Sequence, residues 1–516
     1  MASSQRSKYS RSDEVELPEL GARGWLRWIW RQLTSMRTAL LLLLLLAAAA
    51  IPGSLYPQRS SDPNGVTQFI DNNPGLAKIL DAMQLFDVYT SSWFSAIYIL
   101  LFVSLIGCVL PRTKVHTAAL RAEPPVAPKL FARMPANATF TTRKANIVAK
   151  AEKVLRQERY RVVVTGNSVA AERGYLRETG NLIFHYSLVG LLIAVGLGGG
   201  FSYSGQRVLV EGETFVNNLT GYDSISPGAF FNESQLVPFR MTLDKFEASF
   251  DLKNRTNIGT PLDFRATVTS QVGVNGKPST SVIRVNEPLE LPGSNVFLTG
   301  NGYAPVLTVR DAAGTVLFSG PTAYLPQDKN YTSLGVIKVP DSKTQFGMIS
   351  FFYPTAAELT TGALTSNFPA PIDPMLTANV YVGDLGLNGG VPQNVYSLDI
   401  QKMKQVAGGK SGVKGLRLTV GQTAKLPNNL GTVSFDSLKR FASLDVSYNP
   451  GQGWVLFFAL LALGGLMLSL LVPRRRVWVR KTATGFEIAA LARGDDPTLE
   501  KVIAEIAQQI KAAKND

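Results

Sequence analysis

Two histidines, His116 and His185, and one cysteine, Cys108, are the only imidazole and thiol groups in this 516-residue chain. A lone cysteine rules out a disulfide framework, a thiolate zinc site and a Cys-x-x-Cys relay within the chain. Neither residue type occurs between Ser204 and Gln452. That absence removes Ser-His-Asp and Cys-His nucleophiles and histidine-based metal sites from almost half the sequence. Gly383, Gly386, Gly389 and Gly390 do not sit between a strand and a helix, and no Gly-Lys-Ser/Thr loop is present, so neither nucleotide-binding signature applies. The chain does not read as a self-sufficient enzyme. Its remaining chemistry lies with an imidazole in an unusual place: His185 falls within the apolar run that follows Gly180. Ionisable groups are costly in hydrocarbon and are kept there where they bind or relay something.

Four runs free of Lys, Arg, Asp and Glu position these residues. They are Thr38 to Tyr56, Trp93 to Leu110, Asn181 to Tyr203 and Gly453 to Pro473, of 19, 18, 23 and 21 residues. Each is close to the roughly 20 residues needed to cross about 30 Å of hydrocarbon as a helix. Lys plus Arg against Asp plus Glu is 7 to 4 over residues 1–37, 2 to 4 over 57–92, 14 to 5 over 111–180, 20 to 19 over 204–452 and 9 to 6 over 474–516. The excess alternates with the spans, which is the positive-inside pattern. It gives a cytoplasmic tail with an amphipathic helix (1–37), a first span (38–56), an outward loop (57–92) and a second span (93–110). A cytoplasmic element (111–180), a third span (181–203), an outward domain (204–452), a fourth span (453–473) and a cytoplasmic tail (474–516) follow. The net charge of +14 thus reflects topology and not nucleic-acid binding.

Residues 1–20 are polar and aperiodic and read as disordered. Trp25, Trp28 and Trp30, interleaved with Arg23, Arg27 and Arg31, predict an interfacial helix. In the outward loop, turns flank a short helix from about Leu76 to Leu85. Residues 111–180 open on a Pro-rich connector, Glu123 to Pro128. A helix over Ile147 to Leu155 and strands at Tyr160 to Thr165 and Ser168 to Glu172 then make a small α/β element.

The outward segment reads as all-β, a sandwich or barrel. Strands around Phe264 to Val268 and Val282 to Val285 flank Asn275-Gly276, which predicts a type I′ turn. Pro305 to Arg310 pairs with Thr315 to Ser319 across Asp311 to Gly314. Gly196, Gly198, Gly199 and Gly200 are expected to pack closely or release the helix at the outer end of the third span. Arg474-Arg475-Arg476 anchors topology, Cys108 is a small buried side chain, and His116 is a solvated interfacial histidine.

His185 lies near the cytoplasmic end of its span. Two readings are open: an interfacial residue grouped with Phe184 and Tyr186, or an axial ligand, because neutral imidazole coordinates haem iron and aromatic neighbours suit a porphyrin.

Several stretches together resemble the ResB family of System II cytochrome c biogenesis proteins. They are Ser35 to Leu40, Phe86 to Tyr89 with Ser92 to Phe94, Cys108 to Arg112, Gly180 to Leu188, Tyr448 to Gly451 and Pro473 to Trp478. The resemblance runs from about Gly24 to Arg480. It implies a membrane subunit that works with a ResC-type partner, takes haem across the membrane and presents it for thioether attachment to apocytochrome c. It assigns His185 as a haem axial ligand, with haem shared transiently with the partner and no other metal held. The chain has no Cys-x-x-Cys-His motif and no Trp-rich haem-handling segment, so external haem ligands would belong to the partner, and the β domain would dock partner and apocytochrome. The rival expectation is a structural or sensory envelope protein whose β domain binds a ligand and whose His185 only packs.

Overall fold

The computed structural model describes residues 21–142, 146–253, 258–387, 395–409 and 411–513. The stretch 1–20 read as disordered, and Gly389 and Gly390, lie outside the described residues. The chain divides into two compact units, Met1–Gly198 with Gly451–Asp516, and Gly199–Pro450.

The first unit is built on helices α1 (Ala22–Leu33), α2 (Met36–Leu55), α3 (Pro63–Asn72), α4 (Pro74–Ala82), α5 (Ser92–Arg121), α6 (Ile147–Gln157), α7 (Leu176–Phe201), α8 (Gln452–Leu471) and α9 (Leu499–Ala512). Four of them, α2, α5, α7 and α8, are long and apolar enough to cross a membrane. Serine hydroxyls start two of these: Ser35 Oγ accepts from Thr38 N at 3.2 Å and Ser91 Oγ from Phe94 N at 3.3 Å, each satisfying an orphan first-turn donor. The tryptophan-rich α1 has no buried residue, and Trp25, Trp28 and Trp30 are exposed.

Where a single helix from about Leu76 to Leu85 was expected, two short ones form. Pro63 and Pro74 each occupy a first helical turn, a position proline tolerates, whereas the interior of one continuous helix is not. The pair closes over Val66, Leu80, Phe86 and Val88. Buried Gln58 ties the loop, donating to Leu85 O at 3.0 Å and accepting from Val88 N at 3.0 Å.

The second apolar run ends at Leu110, but α5 does not. It continues through Pro111 to Arg121, 30 residues in all, or about 45 Å. Cys108 is not a buried apolar filler: it is part-exposed, and its thiol donates to Thr34 O at 2.8 Å. Among the glycines expected to pack closely or release the third span, Gly200 does pack, since a Cβ there would lie 2.5 Å from the Phe230 ring, and α7 ends at Phe201; the contact with α8 is made by other glycines. A Cβ on Gly180 would lie 2.7 Å from Gly465 O, and one on Gly465 would lie 2.6 Å from Phe184 N, so α7 and α8 touch backbone to backbone. Gly199, by contrast, has open space around it.

Residues 474–516, read as a tail, are folded from Arg475 to Ala512. Arg475–Lys481 and Gly485–Ala492 are strands of a five-stranded antiparallel sheet whose order is 136–141, 485–492, 475–481, 168–173, 161–165. Helices α6 and α9 bury one face of it through Ile147, Leu155, Val479, Ile488, Ile503 and Ile510. Phe131 and Trp478 cover the other face, where Trp478 Nε1 donates to Pro125 O at 2.8 Å and so pins the Pro-rich connector.

The three arginines after α8, expected as a topology anchor, make ion pairs within the first unit. Glu172, 3% exposed, accepts from Arg474 at 2.9 Å and Arg476 at 3.0 Å, and also from the Tyr175 hydroxyl at 3.0 Å. Arg475 pairs with Asp496 at 2.6 Å. Burial alone would raise the Glu172 carboxyl, but the Arg476 hydrogen bond and the Arg474 and Arg476 charges hold it below the usual carboxylate range. Its stabilising contribution is therefore present above that range and lost as pH falls through it, leaving the sheet acid-sensitive. Glu172→Gln strands two guanidiniums at a buried site and should destabilise the sheet by about 3–5 kcal/mol at neutral pH. Thermal melts across pH 3–7 check both points: the variant starts lower and loses less on acidification than the parent.

Apart from short 3-10 turns, the elements of the second unit from Tyr203 onward are β-strands among the described residues. Its spine is a pair of long antiparallel strands, Ser294–Arg310 and Gly431–Tyr448, in a seven-stranded sheet. One end of the pair, around Val296, Leu298, Leu444 and Val446, shares a core with the four-stranded sheet that contains Phe239–Phe250 and Pro261–Val272. The other end, around Tyr303, Leu307, Val309 and Phe435, shares a core with the six-stranded sheet of Ser333–Val339, Phe346–Tyr353 and Met375–Val382. The result is two sheet-on-sheet cores on one shared sheet, with register shifts at Leu298/Gly300 and Val306/Leu307.

The hairpin over 311–314 forms as expected, with Gly314 at φ +91°. The other expected hairpin also pairs, Ala266 with Ile283, but not through a two-residue turn. Its last pair is Ser270 with Ser279, and the positive φ of +66° falls on Gly273, not on Asn275 or Gly276.

Candidate functional site

Two helices carry the histidines, and a ladder of polar contacts joins them. Tyr98 OH of α5 donates to Leu192 O of α7. Below that, Thr113 Oγ1 and Tyr186 OH are 2.8 Å apart, Arg112 donates to Asn181 Oδ1 at 3.3 Å, and His116 Nε2 lies 3.0 Å from Thr179 Oγ1. Side chains four apart share a helix face. Arg177, Asn181 and His185 therefore line one stripe of α7, and Arg112 and His116 line the facing stripe of α5.

His185 Nδ1 is 2.7 Å from the Asn181 carbonyl one turn earlier. A carbonyl only accepts, so Nδ1 carries the proton and Nε2 keeps its lone pair. The ring is half-buried and stands edge-on to Phe184, with centroids 5.1 Å apart and planes at 89°. Nε2 has no hydrogen-bond partner among the described residues. An imidazole whose second nitrogen is fixed by a carbonyl is oriented as metal-ligating histidines are. A single ring nitrogen beside the Phe184 ring could serve as one ligand to iron held in a macrocycle, and no group of three or more His, Cys, Asp or Glu that could hold a bare ion is found among the described residues.

His116 is not the solvated residue expected from its place beyond the apolar run. It is 7% exposed because α5 extends past Pro111 and lays this turn against the start of α7. Thr179 Oγ1 donates to Tyr175 O at 3.3 Å, so it accepts from His116 Nε2–H, and His116 Nδ1 is left buried without a partner. A cavity of about 430 Å³ opens beside it, lined among others by Arg112, Arg177, Glu178 and Asn181. The i, i+4 spacings of 112/116 and 177/181/185 were visible in the sequence. Their convergence was not, since Pro111 and the charges after it closed the second span prematurely.

These features define a multi-span membrane protein with an oriented imidazole inside its third apolar helix and a large β insertion between that helix and the fourth. A profile of the ResB-like family matches residues 36–504, and the chain belongs to that family. Similar proteins include the cytochrome c biogenesis protein CcsB of Prochlorococcus marinus strain NATL2A, 26% identical over 271 residues, or 51% of this chain and 59% of that protein. CcsB of Synechococcus sp. strain CC9311 is 27% identical over 279 residues, covering 53% and 59%. CcsB of Synechococcus sp. strain RCC307 is 24% identical over 412 residues, 79% of each chain. The match thus spans 59% of the length of the first two relatives.

Proposed function

We propose that this protein is a haem-handling membrane subunit of cytochrome c biogenesis. With a ResC-type partner it takes haem across the cytoplasmic membrane and presents it for thioether attachment to apocytochrome c on the outer side. His185 supplies one axial ligand near the cytoplasmic face. The observation that carries this reading is the His185 Nδ1 to Asn181 O contact at 2.7 Å, which leaves Nε2 free as a ligand. The alternating Lys and Arg excess supports outward placement of the β unit and cytoplasmic placement of the five-stranded sheet. The β unit, free of histidine and cysteine, acts as a docking surface and leaves external haem ligation to the partner.

Purified with its partner from membranes, the protein should show a haem absorption band that His185→Ala removes and that imidazole restores to a His185→Gly variant. Cells deleted for the protein should lose c-type cytochromes. An unchanged band in both variants, or normal cytochrome c assembly in the deletion strain, would sink the proposal.

A further inference from the structure

The cavity beside His116 holds more positive charge than its own carboxylates balance. Arg112, Arg177, Arg474 and Arg493 line it with a single acid, Glu178. Glu178 is committed to Arg493 at 2.5 Å and reaches Arg474 at 3.9 Å, while Arg474 also pairs with Glu172 at 2.9 Å. Arg112 and Arg177 have no carboxylate partner among the described residues. Arg112 instead donates to Asn181 Oδ1 at 3.3 Å and to Met36 Sδ at 3.1 Å, and Arg177 donates to the Arg493 carbonyl. Neutral acceptors leave both guanidinium forks short of the oxyanion they match best.

The placement of these groups relative to His185 names the anion. Arg177, Asn181 and His185 share one stripe of α7, and the helical rise separates Arg177 from His185 by about 12 Å and Asn181 from it by about 6 Å along the axis. Arg112 reaches the same stripe from α5 at Asn181. One face thus carries a metal-binding nitrogen at one end and two unbalanced guanidiniums at the other, the polarity of an amphipathic macrocycle with iron at its centre and carboxylates on one edge. We propose that Arg112 and Arg177 bind the two propionate carboxylates of the haem whose iron His185 ligates, the cavity taking the carboxylate edge while His185, which is not one of its lining residues, stands about two helical turns along α7. This rests on the reading of His185 given above.

The test compares haem with haem dimethyl ester, in which the carboxylates are blocked, by absorption titration of the purified full chain. The unaltered protein should prefer haem by roughly 10- to 100-fold, the scale of charge-assisted hydrogen bonds. Arg112→Gln with Arg177→Gln should reduce that preference to within about threefold while leaving His185-dependent ester binding intact; the paired Lys variants, which keep the charge, should retain most of it. Equal binding of haem and ester by the unaltered protein, with the His185-dependent band present, overturns this inference alone. Failure of both to bind in a His185-dependent way overturns the His185 reading with it. If phosphatidylglycerol co-purifies with the chain and is lost in the double Gln variant while the haem preference stays unchanged, the guanidiniums serve a lipid phosphate and the proposal is wrong.

Discussion

A chain ending after Pro473 should fail to fold its α/β unit. Truncation there removes the strands 475–481 and 485–492, which sit second and third in the five-stranded order, together with α9. What remains is the strand 136–141 with no neighbour, and the hairpin of 161–165 with 168–173. An isolated two-stranded hairpin is marginal in water. The deletion also takes away Val477, Val479, Phe486, Ile488, Ile503, Ile506 and Ile510, all buried in the shared core. At about 1.5–3 kcal/mol for each fully buried side chain, the loss of these seven is about 10–21 kcal/mol, as large as the roughly 5–15 kcal/mol that stabilises a typical domain. Limited proteolysis should therefore cut the truncated chain rapidly between 136 and 173, where the full chain resists. Co-expressing residues 474–516 as a separate peptide should restore protection. Protection that persists without the peptide would mean the two segments do not fold as one unit.

Replacing Gly465 with leucine should pry α7 from α8. The backbone atoms Phe184 N and Gly180 O already lie 2.6 and 2.8 Å from where a Cβ would be. Backbone cannot swing aside as a side-chain tip can, so the helices must part. Overpacking of this kind costs about 1–3 kcal/mol and more when backbone must move. Because the contact is one residue from His185, the same variant should weaken haem binding. Gly464→Leu is the internal control, since nothing lies within 4 Å of a Cβ there. Melting temperature and haem absorption of the two purified variants, side by side, check the prediction. Equal behaviour at 464 and 465 would show that the helices are not in backbone contact.

The same two neighbouring glycines show how far a sequence can be read. Both lie in the fourth apolar run with similar surroundings, and nothing local distinguishes them. Which one faces α7 is decided by the rotation of α8 against its neighbour. Of the glycines clustered at 196 to 200, Gly200 packs on Phe230 and a Cβ on Gly199 would meet nothing, because clustering is a property of the chain and close approach a property of a pair. His116 is a like case: local polarity predicts solvent, and the packing of α5 on α7 removes it.

By itself the sequence determined the four apolar helices, the β character of the long insertion, the pairing of its two short-range hairpins, and the singularity of His185. These depend on side-chain type at fixed spacing, over distances a helix or hairpin spans. Only the tertiary structure decided that Arg474, Arg475 and Arg476 are ion-paired to Glu172 and Asp496, and that strands from 136–173 and 475–492 make one sheet. It also decided that Arg112 and Arg177 line one cavity beside His116. Residues so far apart in the chain come together only through the summed burial of faces that each segment leaves open, and no local pattern records which distant face will cover it.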